Sequence, residues 1–177
     1  MEKIKLLGKT EIDKILLRLS HEIIEKNSNI ANIAIVGIRT RGDFIAKRIL
    51  KNINEKVKKD VKFGTLDVTF YRDDFRTNLG TPEIGPSNIT FDLNDLNVIL
   101  VDDVLYTGRT IRAAMDELFS FGRPASIQLC VLVDRGHREL PIKANFIGKN
   151  FPTAPKEHID VCIKEVDKYD VINLKKY

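Results

Sequence analysis

The sequence predicts an α/β fold, a mainly parallel central sheet with helices on both faces. Buried-type apolar runs of strand length recur at Ile33–Val36, Asn97–Val101 and Ile127–Val133, and stretches of helical periodicity alternate with them. The composition, 43% hydrophobic and 31% charged over 177 residues, is that of a globular chain with room for one sizeable core. With no repeat, low-complexity tract or Pro/Ser linker, a single domain spanning 1–177 is expected.

Residues 10–26 read as an amphipathic helix. Ile12, Ile15, Leu16, Leu19 and Ile23 form its apolar stripe, with Thr10 as N-cap and Asp13 as the acidic partner three residues on. After the strand at Ile33–Val36 come a turn at Gly37–Gly42 and a helix near Asp43–Leu50. Leu66–Tyr71 is strand-like, alternating around Asp67 and Thr69. From Arg72 to Phe91 the text is polar, with Gly80, Pro82, Gly85 and Pro86, and a loop of that length in a compact domain is usually a functional lid or a disordered hairpin. Asn97–Val101 is bounded by Asp102–Asp103 and followed by a turn with Gly108, a helix through Thr110–Phe119 and a stop near Gly122. Ile127–Val133 is the next strand, with shorter pieces at Asn145–Gly148, Val161–Ile163 and Val171–Leu174. Right-handed crossovers place the loops after the strands' carboxyl ends on one edge, where such sheets bind ligands.

Several function classes are excluded or disfavoured. No apolar window reaches the ~18 residues of a membrane span, and the N-terminal text lacks the apolar stretch of a signal peptide, so a cytoplasmic protein is expected. Cys130 and Cys162 lie inside apolar runs and read as small buried hydrophobes. With His21, His137 and His158 scattered, they form no zinc spacing. Any metal should be hard and arrive with a phosphate ligand. The net charge of +4 is unevenly spread: residues 1–60 hold 14 Lys/Arg against 8 Asp/Glu, residues 61–105 only 3 against 8. That division allows a polyanion surface and a cation-bearing site on one chain.

The chemistry is concentrated in Val98-Ile99-Leu100-Val101-Asp102-Asp103-Val104-Leu105-Tyr106-Thr107-Gly108-Arg109-Thr110. A buried strand delivers two carboxylates to the sheet edge, and the following loop opens a helix. Unpaired amides and the positive end of the helix dipole make a phosphate site there, Gly108 permits close backbone approach, and Thr107 and Thr110 add hydroxyl donors. Paired carboxylates suit ribose hydroxyls, directly or through hydrated Mg²⁺. One ligand with a phosphate and a free diol satisfies the whole stretch. G-x-G-x-x-G and Walker A patterns are absent.

This stretch closely resembles the 5-phosphoribosyl-1-pyrophosphate (PRPP) signature of type I phosphoribosyltransferases, which implies that fold, with a small hood and a mobile loop. Val36-Gly37-Ile38-Arg39-Thr40-Arg41-Gly42 resembles the family's pyrophosphate loop, with Arg39, Thr40, Arg41 and Gly42 as contacts. Tyr71–Phe75 opens the segment where these enzymes carry a loop that closes over PRPP. Arg72 is the candidate for stabilising pyrophosphate charge, and Asp102 and Asp103 are the candidates for ribose and Mg²⁺.

Leu66–Asp74, Gly122-Arg123-Pro124, Ile127–Ile142 and Ile147–Thr153 are similar to the PyrR family almost residue for residue, and the likeness runs from about residue 10 to about 172. In the family's purine-using neighbours the position of Tyr106 is typically acidic and that of Asp134 typically Lys, so a phenol and a carboxylate here speak against a purine base. The resemblance implies formation of UMP and pyrophosphate from uracil and PRPP with Mg²⁺. It also implies uridine-nucleotide-promoted binding of a pyrimidine-operon mRNA stem-loop, causing attenuation, and a homodimer or higher oligomer. Uracil is expected to meet Val133, Asp134, Arg135 and Ile147. The family's RNA contacts map onto His21, Lys26, Arg138, Lys143 and Lys149, expected on one face away from the PRPP loop. Lys26 and Lys143 stand where Arg is common, and Leu17 where Thr is frequent. Two alternatives stay open: a uracil phosphoribosyltransferase without RNA regulation, and a PRPP or UMP sensor with little turnover.

Overall fold

The structure, a computed structural model, describes residues 2–68 and 86–177. The predicted strand end at Thr69–Tyr71, the segment opening with Arg72 and most of the predicted loop lie outside the described residues.

Two sheets organise the chain. The larger has five parallel strands in the order β3-β2-β4-β5-β6, where β2 is Ile33–Ile38, β3 Lys62–Leu66, β4 Asn97–Leu105, β5 Ser126–Asp134 and β6 Phe146–Asn150. Its helices are α1 (Lys9–Lys26), α2 (Gly42–Val57) and α3 (Arg109–Leu118). The strand pleat divides the core in two. Ile33, Ile35, Ile99, Val101, Cys130 and Leu132 pack with the stripes of α1 and α2, while Ala34, Val36, Val98, Leu100, Leu129 and Val131 pack with Ile111, Ala114 and Leu118 of α3. Apolar side chains on both faces of every central strand explain why those strands read as continuous runs.

The second sheet is antiparallel, β1-β8-β7, from β1 (Glu2–Gly8), β7 (Glu157–Cys162) and β8 (Val171–Lys176), with the short helix α4 (Lys164–Asp167) between the last two. Ile159, Val161, Ile163 and Ile172 join the α1–α2 side of the core, so this hood shares its apolar interior with the large sheet.

Four expectations are corrected. The first helix begins at Lys9, not after a Thr10 cap: Gly8 is the N-cap, and its N–H donates to the Glu11 carboxylate at 3.1 Å. The strand predicted at Leu66–Tyr71 runs instead over Lys62–Leu66, in register with Ala34–Ile38. Gly64, which disguises it, is required because a Cβ there would stand 2.8 Å from the Ile89 side chain where residues 88–89 cross the strand. The acidic pair does not follow its strand but lies within it, because β5 continues alongside to pair Asp102 with Val131 and Leu105 with Asp134. Finally, the piece predicted at Val161–Ile163 is part of β7, and it pairs antiparallel in the hood.

Candidate active site at the carboxyl ends of the parallel strands

The carboxyl ends of β2, β4 and β5 converge on one edge of the sheet. Asp102 and Asp103 are buried, 2% and 6% exposed. Asp102 Oδ1 accepts the Asp103 N–H at 2.9 Å, and Asp103 Oδ1 accepts the Val104 N–H at 2.8 Å. These local bonds hold both carboxylates in fixed orientations inside the strand. Of the remaining motif residues, Val98, Ile99, Leu100 and Val101 are core, and Leu105 is buried. Their service to the site is to carry the acids to it.

Beyond β4, Gly108 starts α3 at φ +96°, in the left-handed region that favours glycine, and its carbonyl accepts the Arg112 N–H. Buried Thr107 accepts the Arg109 N–H through Oγ1 at 3.2 Å, and its carbonyl takes the N–H groups of Glu139 and Leu140. Thr110 stands in the first turn of α3. Arg109 reaches outward to an exposed ion pair with Glu139.

The turn after β2 approaches the acids from the other side. Gly42 opens α2 against β4 so closely that a Cβ would stand 2.6 Å from the Val101 carbonyl and 3.0 Å from Asp102 Cα. Gly37 is held as tightly, 2.4 Å from Asp43 Cα by the same measure. The Arg39–Thr40 peptide is cis, and Thr40 is exposed. Arg41 does not extend into open space: its guanidinium makes a two-pronged bond to Asp167 of the hood, at 3.0 and 2.9 Å. Bonding to Asp167 raises the Arg41 pKa against the opposing effect of burial, and the nearby charge of Asp103 adds to it.

The loop after β5 forms the third wall. Arg135, 4% exposed, holds its guanidinium carbon over the Tyr106 ring, 3.9 Å from its centre. It donates to Thr153 Oγ1, to the Glu157 carbonyl and to His158 Nδ1. His137 meets Tyr106 edge-on at 6.4 Å. The Asp134 carboxylate accepts the Gly136 N–H at 2.9 Å and is paired with Arg138. Val133 is buried, and Ile147 on neighbouring β6 is half-buried.

The expected RNA residues are not brought together as one face. His21 is exposed on α1, Lys26 holds its ammonium 5.3 Å from the centre of the Phe146 ring, and Lys149 is exposed on β6. Between α1 and β6, Arg18 donates to the carbonyls of Ile147 and Gly148. Lys143 instead lines an apolar groove beside α3 with Ile111, Met115 and Ile142. Arg138, expected away from the PRPP loop, reaches that loop directly, donating to the Tyr106 carbonyl at 2.7 Å and to the Ile142 carbonyl at 3.0 Å. Its flexible stem turns inward because those carbonyls and the Asp134 carboxylate together match the guanidinium fork.

Sequence reasoning passed over Thr153, His158, Arg18 and Asp167. Only the clustering of Arg135–Arg138 beside a strand end hinted at a guanidinium-braced loop. Both cysteines are buried and free, and burial pushes the Cys130 thiol up to about 12.

A parallel sheet with an acid pair in its central strand, a glycine-opened helix after it and a tight glycine turn beside it defines a phosphoribosyltransferase. The family model described as "Phosphoribosyl transferase domain" matches residues 7–165. Among solved structures, a hypoxanthine-guanine phosphoribosyltransferase of Bacillus anthracis aligns with a TM-score of 0.72 at 20% identity, over 96% of each chain. The hypoxanthine phosphoribosyltransferase of Trypanosoma cruzi aligns with a TM-score of 0.73 at 14% identity, over 98% of this chain and 97% of that one. At these identities the likeness is one of fold. A protein of Bacillus cereus (strain AH820) named "Bifunctional protein PyrR" is 49% identical over 175 residues, 98% of this chain and 97% of that protein. The protein of the same name from Bacillus thuringiensis subsp. konkukian matches to the same extent. The chain belongs to the PyrR family of phosphoribosyltransferases.

Proposed function

We propose that this protein converts uracil and PRPP to UMP and pyrophosphate, and that it regulates pyrimidine-operon transcription by binding an mRNA stem-loop in response to uridine nucleotides. The observation that carries the catalytic reading is the meeting of three walls at one sheet edge: Gly42 pressed against β4, the buried acids within β4, and the Tyr106–Arg135 stack beyond it.

In this reading the amides and hydroxyls of Thr107–Thr110 at the start of α3 hold the 5-phosphate. Asp102 and Asp103 accept the ribose hydroxyls, and the Arg39–Gly42 turn presents backbone donors to pyrophosphate. Arg72, outside the described residues, is assigned the charge developing on the leaving group. The bond from C1′ to pyrophosphate breaks as uracil N1 bonds to C1′, and positioned donors stabilise the charge without a covalent nucleophile. Buried, all-oxygen Asp102 and Asp103 suit Mg²⁺ arriving with PRPP, which would help neutralise the pyrophosphate. Uracil is assigned to Val133, Asp134, Arg135 and Ile147. With the Asp134 carboxylate tied to Arg138 and Gly136, we assign base contact chiefly to backbone groups of these strand ends.

RNA contact is assigned to His21, Lys26 and Lys149 around α1 and β6, with Lys143 at the neighbouring loop. Arg138 is reassigned to the base pocket. The protein is read as cytoplasmic and as a homodimer or higher homo-oligomer; among the described residues no helix is long and apolar enough to cross a membrane. A phosphoribosyltransferase without RNA regulation is the second reading, favoured by the inward commitment of Arg138.

The test is incubation with PRPP, Mg²⁺ and, separately, uracil, orotate, hypoxanthine and guanine. UMP should form from uracil, with little product from either purine. A comparable kcat/KM for a purine would overturn the assignment of Tyr106 and Asp134. Stem-loop binding that weakens with salt and tightens with UMP separates the regulatory reading from the enzyme-only one.

A further inference from the structure

We propose that Asp167, on the short helix of the hood, is a positioning residue that aligns the pyrophosphate loop against the acid pair by holding Arg41. The proposal rests on the reading of the Arg39–Gly42 turn as that loop.

Among the described residues, side-chain ion pairs join the hood to Arg41 and to α2 at two places. At the first, both Asp167 oxygens receive Arg41, Nε to Oδ2 at 3.0 Å and Nη2 to Oδ1 at 2.9 Å. Oδ2 also accepts the Ile163 N–H at 2.9 Å, so the carboxylate is itself oriented by the hood backbone. Burial disfavours the Asp167 anion, but Arg41 and the Ile163 N–H outweigh it and hold the pKa below the ordinary value. At the second place, seven residues along the helix, Arg48 binds Glu165 at 2.9 and 2.6 Å and Asp170 at 2.7 Å. Two turns, on the order of 10 Å, separate the junctions.

Only the first junction bears on the ligand loop. Arg41 is the N-cap residue of α2, its carbonyl accepting the Ile45 N–H at 3.1 Å, and it stands between Thr40 and Gly42. Gly42 has no slack: space for even one methyl group is missing between it and Val101–Asp102. A two-pronged guanidinium–carboxylate bond fixes direction as well as distance. Releasing Arg41 therefore frees the loop to tilt relative to β4, so that its backbone amides meet the bound pyrophosphate less well and PRPP is held more weakly. Asp167 touches no reacting atom in this scheme. It acts through Arg41, and the prongs leave the backbone amides of the turn, not the Arg41 side chain, as the donors to pyrophosphate.

The experiment compares wild type, Asp167→Asn and Arg48→Gln by steady-state kinetics, thermal unfolding and calorimetric PRPP titration. Asn keeps an acceptor for Ile163 and so preserves the local fold of the hood. Asp167→Asn should raise the KM for PRPP on the order of tenfold, with kcat and the uracil KM within about twofold, as expected where binding of PRPP is weakened equally in the ground and transition states. Arg48→Gln should lower the unfolding temperature while leaving the PRPP KM unchanged. Three results would overturn the proposal: an unchanged PRPP affinity in Asp167→Asn, the same KM rise in both variants, or tighter PRPP binding in Asp167→Asn, which would mean that Asp167 withholds Arg41 from the ligand. The titration needs no base, so it stands apart from the choice of uracil. If wild type binds no PRPP, the reading of the site falls and this inference with it; if wild type binds and Asp167→Asn binds equally, the inference alone falls.

Discussion

Replacing Arg138 by Gln separates the pocket reading of this residue from the RNA reading. From sequence, Arg138→Gln should weaken RNA binding and spare UMP synthesis. The geometry favours the competing expectation, that Arg138, close to Asp134–Gly136 in sequence, helps shape the base pocket. The guanidinium pairs with Asp134 and donates to the carbonyls of Tyr106 and Ile142, joining the loop after β5 to the loop after β4. Both partners of the ion pair are mostly buried, 23% and 13% exposed, so solvent does not screen it away. Removing the guanidinium leaves the Asp134 charge without its counterion and the Tyr106, Gly136 and Ile142 carbonyls without this donor. Bonds to charged groups contribute roughly 1.5–3 kcal/mol each and are not additive, so a total of about 2–4 kcal/mol is reasonable. At roughly 2–4 °C per kcal/mol for a chain of this size, the unfolding temperature should fall by about 5–15 °C. Below that transition kcat/KM for UMP formation should still drop by about tenfold or more, because Tyr106 loses its backbone anchor. Calorimetry and pyrophosphate release measured at a temperature where the variant is folded check both. Unaltered UMP synthesis with lost stem-loop binding would refute the argument and return Arg138 to the RNA surface.

Asp102→Asn with Asp103→Asn should leave the fold intact, since an amide oxygen can still accept the N–H groups of Asp103 and Val104. It should cost on the order of 2–4 kcal/mol of transition-state stabilisation, and near-wild-type kcat/KM would remove the pair from the mechanism. Acid should weaken the hood. Arg48 bonding holds Glu165 below its ordinary 4.5. For Asp170 and Asp167, burial opposes ionisation but arginine and backbone bonds outweigh it, holding both below 3.8. Groups depressed on folding contribute stability that is complete above the unfolded pKa and lost as pH falls through the folded one. The unfolding temperature should therefore decline below about pH 4.5, and less steeply in Asp170→Asn; equal slopes in the two proteins would exclude Asp170 from the effect.

What was legible in the sequence was what is local. The stripe of α1 and the strand–acid–glycine–helix run of residues 98–110 are each written in consecutive residues, and each was found. The hood was legible only in part: Val161–Ile163 and Val171–Leu174 read as strands and fall on β7 and β8, but the first strand and the antiparallel pairing were not found. Glu2–Gly8 carries charge and buries fully only Gly8, so it lacks the continuous apolar run that marks the parallel strands. β3 was misplaced because the glycine at its centre answers to a crossing segment more than twenty residues away. Arg41 and Asp167 stand 126 residues apart, and no periodicity connects them. Arg138 looked like a surface cation because its polar neighbours gave no sign that Tyr106, 32 residues earlier, supplies a carbonyl for it.

The same tertiary fact bears on base choice. Hypoxanthine-using proteins share this fold at under 25% identity, so the sheet itself does not select the base. The two positions that argue against a purine, Tyr106 and Asp134, end adjacent parallel strands, where Leu105 pairs with Asp134. They are not independent. Tyr106 offers its ring to Arg135 and its carbonyl to Arg138, while Asp134 neutralises Arg138 and caps Gly136. A lysine at 134 would face the Arg138 guanidinium across the distance of a present ion pair and turn attraction into repulsion. An acid at 106 would leave the face of Arg135 uncovered. Arg135 and Arg138, three residues apart, thus form one interlocked unit with a phenol and a carboxylate. On the proposed reading, selection for a single-ring base rests on that unit as a whole, and exchanging either residue for its purine-type counterpart should disturb the contacts of the other.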